Sequence, residues 1–599
     1  MKMQITVSIL LLFTFLITSN SQENPLIYNL VEKGVPLAKI EVMSGQPPKI
    51  FHAARILQTY IKKSTQARLP FNNEISPDLF DRYPVHIHIN VRKQKSKNPF
   101  HKADGFIIDL STLNHISIIG NSATGAEFAV YEFLERFVGI RWLLPGSLGE
   151  HIPHHKSLII KSQTIKQAPV FSYRRLSGLH EKYPDIRKWA HRNRMYGDIK
   201  FHHNLHNIFP SDKYLKSHPH LYPQKNGKLN VPYPKAGWQP CFQEQDAIDI
   251  AVLNISNYFK EHPDENTFSL GPNDAISSTS GYCISDEEAK IINSWGYPDV
   301  SDRYYTWANQ VVKKVLNVYP DKLFGTLAYM EIATPPKKIQ IHQNIIPFLT
   351  EDRLRWVKSK YKFLAKKRMN DWLQKSKHIG FYDYIYGSPY VLPRVYFHHM
   401  AETYKYAAQK GVNAVYAEAY PIWGEGPKYY LALKLFWNPF LDVDNLLNDW
   451  YQCCVGKSAA PYLAQYFKLW ETFWTQKIQH TPWFYNKSMY LAFWSPTYLD
   501  AADIKDITKS RELLEKTLGM AKTEIQKKRA QLFLKTFEYY EASALSYWGL
   551  KTNRFGILKN DAMMMNAKRY LLVKKFEKNP LLRHPIRFDT GNQFPDLRW

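Results

Sequence analysis

Four apolar segments of this chain each end in a carboxylate. Asp274 closes FSLGPND, Glu331 follows LAYM, Asp383 lies within GFYDY, and Glu418 closes NAVYAE. Short apolar runs bounded by glycine, proline or aromatic residues are typical of buried strands. In a barrel of parallel strands, the carboxyl ends of the strands meet at one mouth, where barrel enzymes carry their chemistry. The pattern therefore predicts a ring of carboxylates at the open end of a barrel.

Such a ring suits the hydrolysis of glycosidic bonds, which commonly needs one protonated and one ionised carboxyl group. We predict Glu331 as the general acid, because it ends the fourth predicted strand, just before a double proline that stops the strand. Glu418, at the end of the seventh, is the predicted nucleophile, and Asp383 is a third catalytic candidate. Two plainer interpretations stay open: Glu331 as a solvated loop residue and Glu418 as a partner in a salt bridge. With an N-acetylated substrate the acetamido group can attack, and the carboxylates would then orient it.

Polar and aromatic residues beside these carboxylates are candidates for substrate binding. An Asp after Gly-Pro-Asn can bind a sugar hydroxyl or simply cap the next helix, so the two interpretations of Asp274 remain equal. Aromatic faces stack on sugars and also fill cores. The predicted binding residues are Asn273, Asp274, His203, Tyr329, Tyr384 and Trp423, with Trp423 interpreted as an exposed platform in a glycine-rich loop.

No metal or cofactor is expected. His202, His203 and His206 form a His-His-x-x-His run that invites a zinc interpretation, but the run lacks the glutamate of metalloproteases. A histidine that hydrogen-bonds a sugar hydroxyl is the favoured interpretation. A Cys241–Cys283 disulfide is possible, although no spacing rule supports it.

The elements that would position these residues fall into three parts. Residues 25–165 alternate strand and helix patterns and predict a small α/β accessory domain. Residues 170–475 repeat strand, loop and helix, which predicts a (β/α)8 barrel with helices over residues 245–259, 302–318, 354–373 and 395–409. Residues 480–599 predict a helical region, because apolar side chains recur there at helical spacing. The predicted barrel strands lie near residues 171–177, 199–203, 267–270, 323–328, 339–343, 378–383 and 414–417, with an eighth near 431–436.

Residues 1–21 combine Lys2, an apolar stretch and small residues, which predicts a cleaved signal peptide and an exported protein, periplasmic, surface-bound or secreted. No later apolar stretch is long enough to span a membrane. The formal charge of +26 comes from 79 basic and 53 acidic residues spread along the chain. No nucleic-acid motif accompanies this charge, so an acidic glycan or a simple solubility role fits it better.

Several motifs resemble a known family. FSLGPND, LAYMEIATPP, GFYDY and GVNAVYAEAY, with LKLFWNPFLDVDNLLNDW after them, resemble domain of unknown function 4838. That domain includes glycoside hydrolase family 163, so the resemblance implies an endo-β-N-acetylglucosaminidase acting on N-glycans or glycoproteins, with retention of configuration. The run GNSATGAEFAVYEFLERFVGIRW resembles the accessory domain of α-glucuronidases and β-hexosaminidases. Many members of the domain carry further cysteines after Gly281-Tyr282-Cys283, which this chain lacks.

Two other functions remain open. One is an exo-acting hydrolase of acidic sugars, similar to α-glucuronidases. The other is a glycan-binding barrel without catalysis, which tyrosine, tryptophan and histidine at strand ends would serve equally well.

Overall fold

The computed structural model describes residues 25–92, 104–179, 183–225, 228–231, 233–274, 283, 289–485 and 488–583. The predicted signal peptide, residues 1–21, lies outside the described residues. Within the described part no helix combines the length and apolar character needed to cross a membrane.

The amino-terminal part is built on a five-stranded sheet. Its strands lie in the order β10 (Thr164–Gln167), β5 (Phe106–Thr112), β6 (His115–Gly120), β4 (Val85–Val91) and β3 (Ala38–Glu41). Along β4 the alternating Val85, Ile87 and Ile89 are buried, and helices α1 (Pro48–Thr65) and α2 (Ala123–Phe133) supply further buried apolar side chains. Two smaller sheets, β2-β1-β9 and β7-β8, complete this part. The strands are β1 Ile27–Glu32, β2 Val35–Pro36, β3 Ala38–Glu41, β4 Val85–Val91, β5 Phe106–Thr112, β6 His115–Gly120, β7 Arg141–Trp142, β8 Glu150–His151, β9 Leu158–Lys161 and β10 Thr164–Gln167.

The central part contains a six-stranded sheet, all of it parallel, with the order β11-β18-β17-β16-β15-β14. A separate short hairpin, β12 with β13, lies in the long loop that follows residue 203. The strands are β11 Tyr173–Leu176, β12 Gln224–Lys225, β13 Lys228–Leu229, β14 Thr267–Ser269, β15 Leu323–Ala328, β16 Ile345–Thr350, β17 Gly380–Tyr384 and β18 Ala414–Glu418.

The predicted eight-stranded barrel is therefore only partly present in the described residues. The segment predicted as a second strand, 199–203, is not a regular strand: it forms an isolated bridge between His203 and Gly271, and Tyr196, just before it, forms another with Arg174 of β11. The fifth predicted strand was misplaced: β16 lies a few residues later, and Pro347 in its centre conceals it in the sequence. The eighth predicted strand is wrong, because residues 431–436 belong to a helix.

Aromatic rings fill the inside of this curved sheet. Phe201, from the irregular segment, stacks on Phe348 of β16 with ring centroids 3.7 Å apart and lies 5.2 Å from Tyr416. A Cβ atom at Gly325 would stand 2.4 Å from the Lys200 carbonyl oxygen. Because Gly325 has no side chain, residues 199–203 can lie close against β15. The packed rings of this segment then close the inside of the sheet below the mouth.

Helices follow most of the parallel strands and lie outside the sheet. Four of them were predicted from periodicity within a few residues of their observed bounds, namely Gln245–Glu261, Ser301–Leu316, Ser359–Lys375 and Phe397–Gln409. The helices of this part are α3 Pro184–Arg192, α4 Leu205–Ile208, α5 Ser211–Tyr214, α6 Gln245–Glu261, α7 Ser301–Leu316, α8 Ser359–Lys375, α9 Phe397–Gln409 and α10 Lys428–Trp437.

The carboxyl-terminal part is helical, with neighbouring helices packed against each other. Arg529, 1% exposed, ties this part to the rest: its guanidinium donates to the carbonyl oxygens of Leu148, Glu150 and Cys453. The helices are α11 Val443–Val455, α12 Ala460–Thr472, α13 Ile504–Met520, α14 Glu524–Tyr547 and α15 Lys559–Phe576. Elsewhere, Cys241 and Cys283 form a disulfide, and Cys453 and Cys454 are free thiols.

Candidate active site

Glu418 ends β18 at the carboxyl edge of the parallel sheet, and its carboxylate is held by tyrosines of the neighbouring strand. The Tyr382 hydroxyl donates to Oε1 at 2.5 Å, and the Tyr386 hydroxyl donates to Oε2. Burial raises the pKa of Glu418; the two hydroxyls and nearby His203 oppose that shift, and the charge of Asp274 adds to it. The carboxyl group is therefore poised to hold a proton, as a general acid of a glycosidase must.

The tyrosines come from strand alternation. Residues two apart on a strand share a face, so Tyr382, Tyr384 and Tyr386 form a row with ring centroids 5.4 and 5.7 Å apart. Burial, followed by the charge of Glu418, raises the pKa of each of the three. They thus remain hydroxyl donors around neutral pH. Tyr386 was not predicted, although continuing the alternation beyond the strand end would have found it.

Asp383 lies on the opposite face of β17 from this row. Its carboxylate accepts from the backbone nitrogens of Arg353 at 3.1 Å and Tyr384 at 2.8 Å, and from the Tyr404 hydroxyl at 2.8 Å. The side chain is 2% exposed. The structure therefore does not bring Asp383 together with Glu418 and gives it a structural setting between strand and helix.

Asp274 and Tyr329 lie at the mouth. The Asp274 carboxylate is exposed, and the Tyr329 hydroxyl stands 3.5 Å from its Oδ1. Burial raises the pKa of Tyr329, and the charge of Asp274 adds to that shift. The His203 ring lies 5.8 Å from that of Tyr329, with Nδ1 2.5 Å from the Pro272 carbonyl oxygen. The charges of His203 and Asp274 thus act on Glu418, and Tyr329 lies beside both of these residues.

Asn273 has a different position. Its Oδ1 accepts from the His206 backbone nitrogen at 2.7 Å, and its Nδ2 donates to the Trp238 carbonyl at 3.1 Å. At 1% exposed it braces the turn that presents Asp274. Direct binding of a substrate by Asn273, as predicted, would require these bonds to break.

Glu331 lies in a short 3-10 turn, Met330–Ile332, directly after β15. The side chain is 5% exposed. The Glu331 backbone carbonyl accepts from the Val300 nitrogen at 3.1 Å, and the charge of Glu331 contributes, after burial and Tyr490, to the raised pKa of Tyr297. Glu331 is therefore a buried carboxylate just after β15 whose charge reaches Tyr297.

The prediction that Trp423 is an exposed platform is wrong. Its side chain is 2% exposed and packs edge-on against Trp189, with ring centroids 4.8 Å apart. A Cβ atom at the next residue, Gly424, would stand 2.2 Å from the side chain of Thr536, so helix α14 seals this loop. The glycines around Trp423 permit close packing here, where the sequence suggested exposure.

The aromatic surface of the mouth comes instead from the segment that follows helix α12. Tyr490, Phe493 and Trp494 are partly exposed; Tyr490 lies 5.3 Å from Tyr384, and Phe493 lies 5.0 Å from Tyr386. Burial raises the pKa of Tyr490, and the charges of Asp274 and Glu418 contribute. The prediction missed this segment, although its aromatic density, YLAFW, was a visible signal.

Behind the mouth, a buried ionic network supports the tyrosine row. The Lys428 ammonium donates to the Tyr386 carbonyl at 2.9 Å and lies 2.6 Å from Glu425. Arg394 pairs with Asp352 at 2.7 Å, and its carbonyl accepts from Lys428 at 2.8 Å. This network fixes the backbone that carries Tyr386, and with it the hydroxyl on Glu418.

The three histidines with the zinc-like spacing do not converge. His202 packs against Tyr416, and burial lowers its pKa to about 4. His206 Nδ1 lies 3.1 Å from Asn273 Oδ1, whereas His203 faces Pro272. Among the described residues these three do not form a metal-binding group.

A family model matches residues 144–468, which hold β11 to β18, the tyrosine row and all four predicted carboxylates. The chain belongs to the family described as domain of unknown function 4838. Since that model covers more than half of the chain, this part of the predicted resemblance is confirmed. No curated protein matches the chain.

Solved structures of glycoside hydrolases are similar to this family member, and the first of them shares its fold. A family GH115 4-O-methyl-α-glucuronidase with specificity for decorated arabinogalactans matches with a TM-score of 0.60 and 11% identity, over 96% of this chain and 80% of that one. A GH138 enzyme targeting pectin rhamnogalacturonan II matches at 0.47 and 10% identity, over 93% and 96%. A family 89 glycoside hydrolase from Clostridium perfringens matches at 0.45 and 9% identity, over 88% and 65%. At such identities the likeness concerns the fold alone.

Proposed function

We propose that this protein is a glycoside hydrolase whose active site is the mouth around Glu418. The observation that carries the proposal is the state of Glu418: a half-buried carboxyl group at the carboxyl end of a parallel strand, with a raised pKa, held by two tyrosine hydroxyls. Partly exposed aromatic rings beside it, from Tyr490 to Trp494, offer the stacking surface that sugars prefer.

In the proposed mechanism Glu418 donates its proton to the leaving oxygen, and a second carboxylate acts on the other side of the bond. Asp274 is the favoured second group, because it is exposed to the mouth and its charge acts on Glu418 and Tyr384 alike. The pair predicted from the sequence, Glu331 with Glu418, is the alternative within the same mouth. Asp383 has a positioning role only.

The substrate class that we propose first is a β-N-acetylglucosaminide in an N-glycan or glycoprotein, cleaved by endo action with retention. The resemblance to family 163 motivates it, and attack by the acetamido group explains how a site with one protonated carboxyl group could retain configuration. An exported protein would meet such substrates, and sequencing the amino terminus of the mature protein would test the proposed cleavage after residue 21.

A second candidate is an exo-acting hydrolase of acidic sugars. The fold shared with an α-glucuronidase over nearly the whole chain and the charge of +26 favour it. Product analysis on a broad glycan panel separates the two: an intact oligosaccharide supports endo action, and a free uronic acid supports the second candidate. Glycan binding without any turnover by folded protein would favour a non-catalytic barrel and overturn the hydrolase.

Three single variants assign the roles. Glu418→Gln should lose activity on every substrate. Of Asp274→Asn and Glu331→Gln, the variant that removes the second carboxylate should lose nearly as much activity, and the other should keep most of it. Asp383→Asn serves as the matched control, because it alters a buried carboxylate on the outer face of β17, the strand next to that of Glu418. If Glu418→Gln kept wild-type activity, this site would be the wrong one.

A further inference from the structure

Three histidines gather on the polar face of the amino-terminal sheet, away from the mouth. Parallel pairing places His86 of β4 opposite His115 of β6, and His88 lies two residues further along β4 on the same face. The side chains of His86 and His88 are half-buried, and His115 is exposed. The residues between them, such as Ile87, point into the core, so the strands that carry the histidines are fixed from behind.

The nitrogen atoms converge. One ring nitrogen from each of the three histidines lies within 4.8 Å of the others. The closest pair, His88 Nε2 and His115 Nδ1, is 3.1 Å apart. Two ligands bound to one tetrahedral Zn²⁺ at 2.0–2.1 Å stand about 3.3 Å apart, so this separation is close to what a shared cation requires. The same contact can be made by one shared proton or by one shared metal ion.

Glu41 of β3, the next strand, orients two of the rings. Its Oε1 lies 3.1 Å from His86 Nδ1, and its Oε2 lies 3.0 Å from His88 Nδ1. Because a carboxylate only accepts hydrogen bonds, each Nδ1 carries the proton, and each Nε2 presents a lone pair. Metal-bound histidines are commonly held by a carboxylate in this way.

Lys39 is the one cation seen beside the cluster within the described part of the chain. Its ammonium lies 3.7 Å from Glu41 Oε1 and 4.3 Å from the centre of the Phe80 ring. Glu41 and the face of Phe80 thus compensate its charge. Repulsion by Lys39 should weaken the binding of a divalent cation without blocking the three nitrogen ligands.

We propose that His86, His88 and His115 form a binding site for a borderline divalent metal ion of the Zn²⁺ type, with Glu41 as the residue that orients the ligands. Three nitrogen ligands leave a fourth tetrahedral position, which faces solvent beside His115 and would take water. The site is independent of the proposed hydrolase, because it lies on a different sheet and uses none of the mouth residues.

Titration of the untagged full-length protein with Zn²⁺, followed by calorimetry and by the visible spectrum of substituted Co²⁺, tests the site. We expect one equivalent bound at this cluster and a tetrahedral Co²⁺ spectrum. His115→Ala changes an exposed side chain and should abolish that equivalent without unfolding the protein. Glu41→Gln should weaken binding about 10- to 100-fold while the spectrum keeps its tetrahedral form.

His52→Ala is the matched control, because it removes an exposed histidine from helix α1 of the same part. It should bind as the wild type does. Equal Zn²⁺ binding by wild type and His115→Ala, with Glu41→Gln unchanged, would overturn the proposal. So would the lack of any stoichiometric binding by folded wild-type protein. Glycosidase activity is not a readout here, so failure of either proposal leaves the other distinguishable.

Discussion

Glu418 is half-buried and Glu425 is fully buried; the two stand seven residues apart, and their partners differ. Glu425 lies 2.6 Å from the Lys428 ammonium and accepts from the Arg394 backbone, deep behind the mouth. Glu418 accepts from two tyrosine hydroxyls at the mouth itself. Burial raises the pKa of both carboxyl groups. The comparison teaches that a partner cation commits a buried carboxylate to structure, whereas hydroxyl partners leave its proton available for chemistry.

The largest effect should come from replacing each glutamate by glutamine. Glu418→Gln removes the proposed proton donor and should lower kcat/KM about 10²- to 10⁴-fold with little change in Tm. Glu425→Gln should instead destabilise the fold, because Lys428 is left without its counter-charge, and retain activity in whatever protein stays folded. Kinetics and thermal unfolding of both variants check this, and equal effects on activity would remove the distinction.

Lys428→Met tests the same comparison by removing the cation of the buried pair and leaving the carboxylate. Leaving Glu425 buried and unpaired should lower the free energy of unfolding by about 3–5 kcal/mol. The double variant Glu425→Gln with Lys428→Met should recover a large part of that loss, since no buried charge remains. Urea unfolding of the two single variants and the double variant measures the coupling, and strict additivity would argue against a buried pair.

Tyr386→Phe sharpens the account of Glu418. Losing this hydrogen bond should weaken the stabilisation of the Glu418 carboxylate by about 1.5–3 kcal/mol. As a result kcat/KM should fall roughly tenfold. The hydroxyl favours the ionised carboxylate, so its loss raises the pKa of Glu418 further, and the alkaline fall in activity should move to higher pH. Tyr404→Phe, which removes a donor to Asp383, is the control. If ionised Glu418 were the active form, the acid fall in activity would move to higher pH instead, and the alkaline fall would stay where it is.

The raised pKa of Glu418 also makes the stability of the wild-type protein depend on pH. A folded pKa raised above the unfolded value means that the folded protein holds the proton more tightly. The contribution of Glu418 to stability is therefore present below the unfolded pKa of about 4.3 and falls as pH rises through the folded value. In Glu418→Gln this fall should be absent, which a difference in Tm between the two proteins across that range would show.

The smallest effect concerns a half-exposed ionic cluster. Hydrogen bonding to Glu471, together with Asp444, raises the pKa of His398 to about 9. Its contribution is complete below the unfolded pKa of about 6.5 and is lost as pH rises through about 9. Because solvent screens the group, His398→Ala should destabilise the fold by only about 1 kcal/mol at neutral pH. The difference in Tm between variant and wild type should vanish near pH 10.

The sequence predicted the position of Glu418 because an apolar strand that ends in a carboxylate is a local pattern. Five parallel strands and four helices followed from periodicity in the same way. Strand alternation, applied strictly, would also have separated Asp383 from its tyrosine neighbours. The burial of Trp423 could not be predicted, since it depends on Trp189 and on helix α14, both more than a hundred residues away. The aromatic residues near 490 were missed for the same reason: only tertiary packing brings them to Tyr384.

The segment that carries Tyr490, Phe493 and Trp494 lies beyond residues 144–468, the part matched to the family, whereas Glu418, Asp274 and the tyrosine row lie within it. The reacting groups and the aromatic surface beside them are thus encoded in separate stretches of the chain. If the mouth acts as proposed, substitutions in that later segment should alter which sugar is recognised while the acid and its hydroxyl partners stay unchanged. Diversification of substrate range among relatives should therefore be concentrated there.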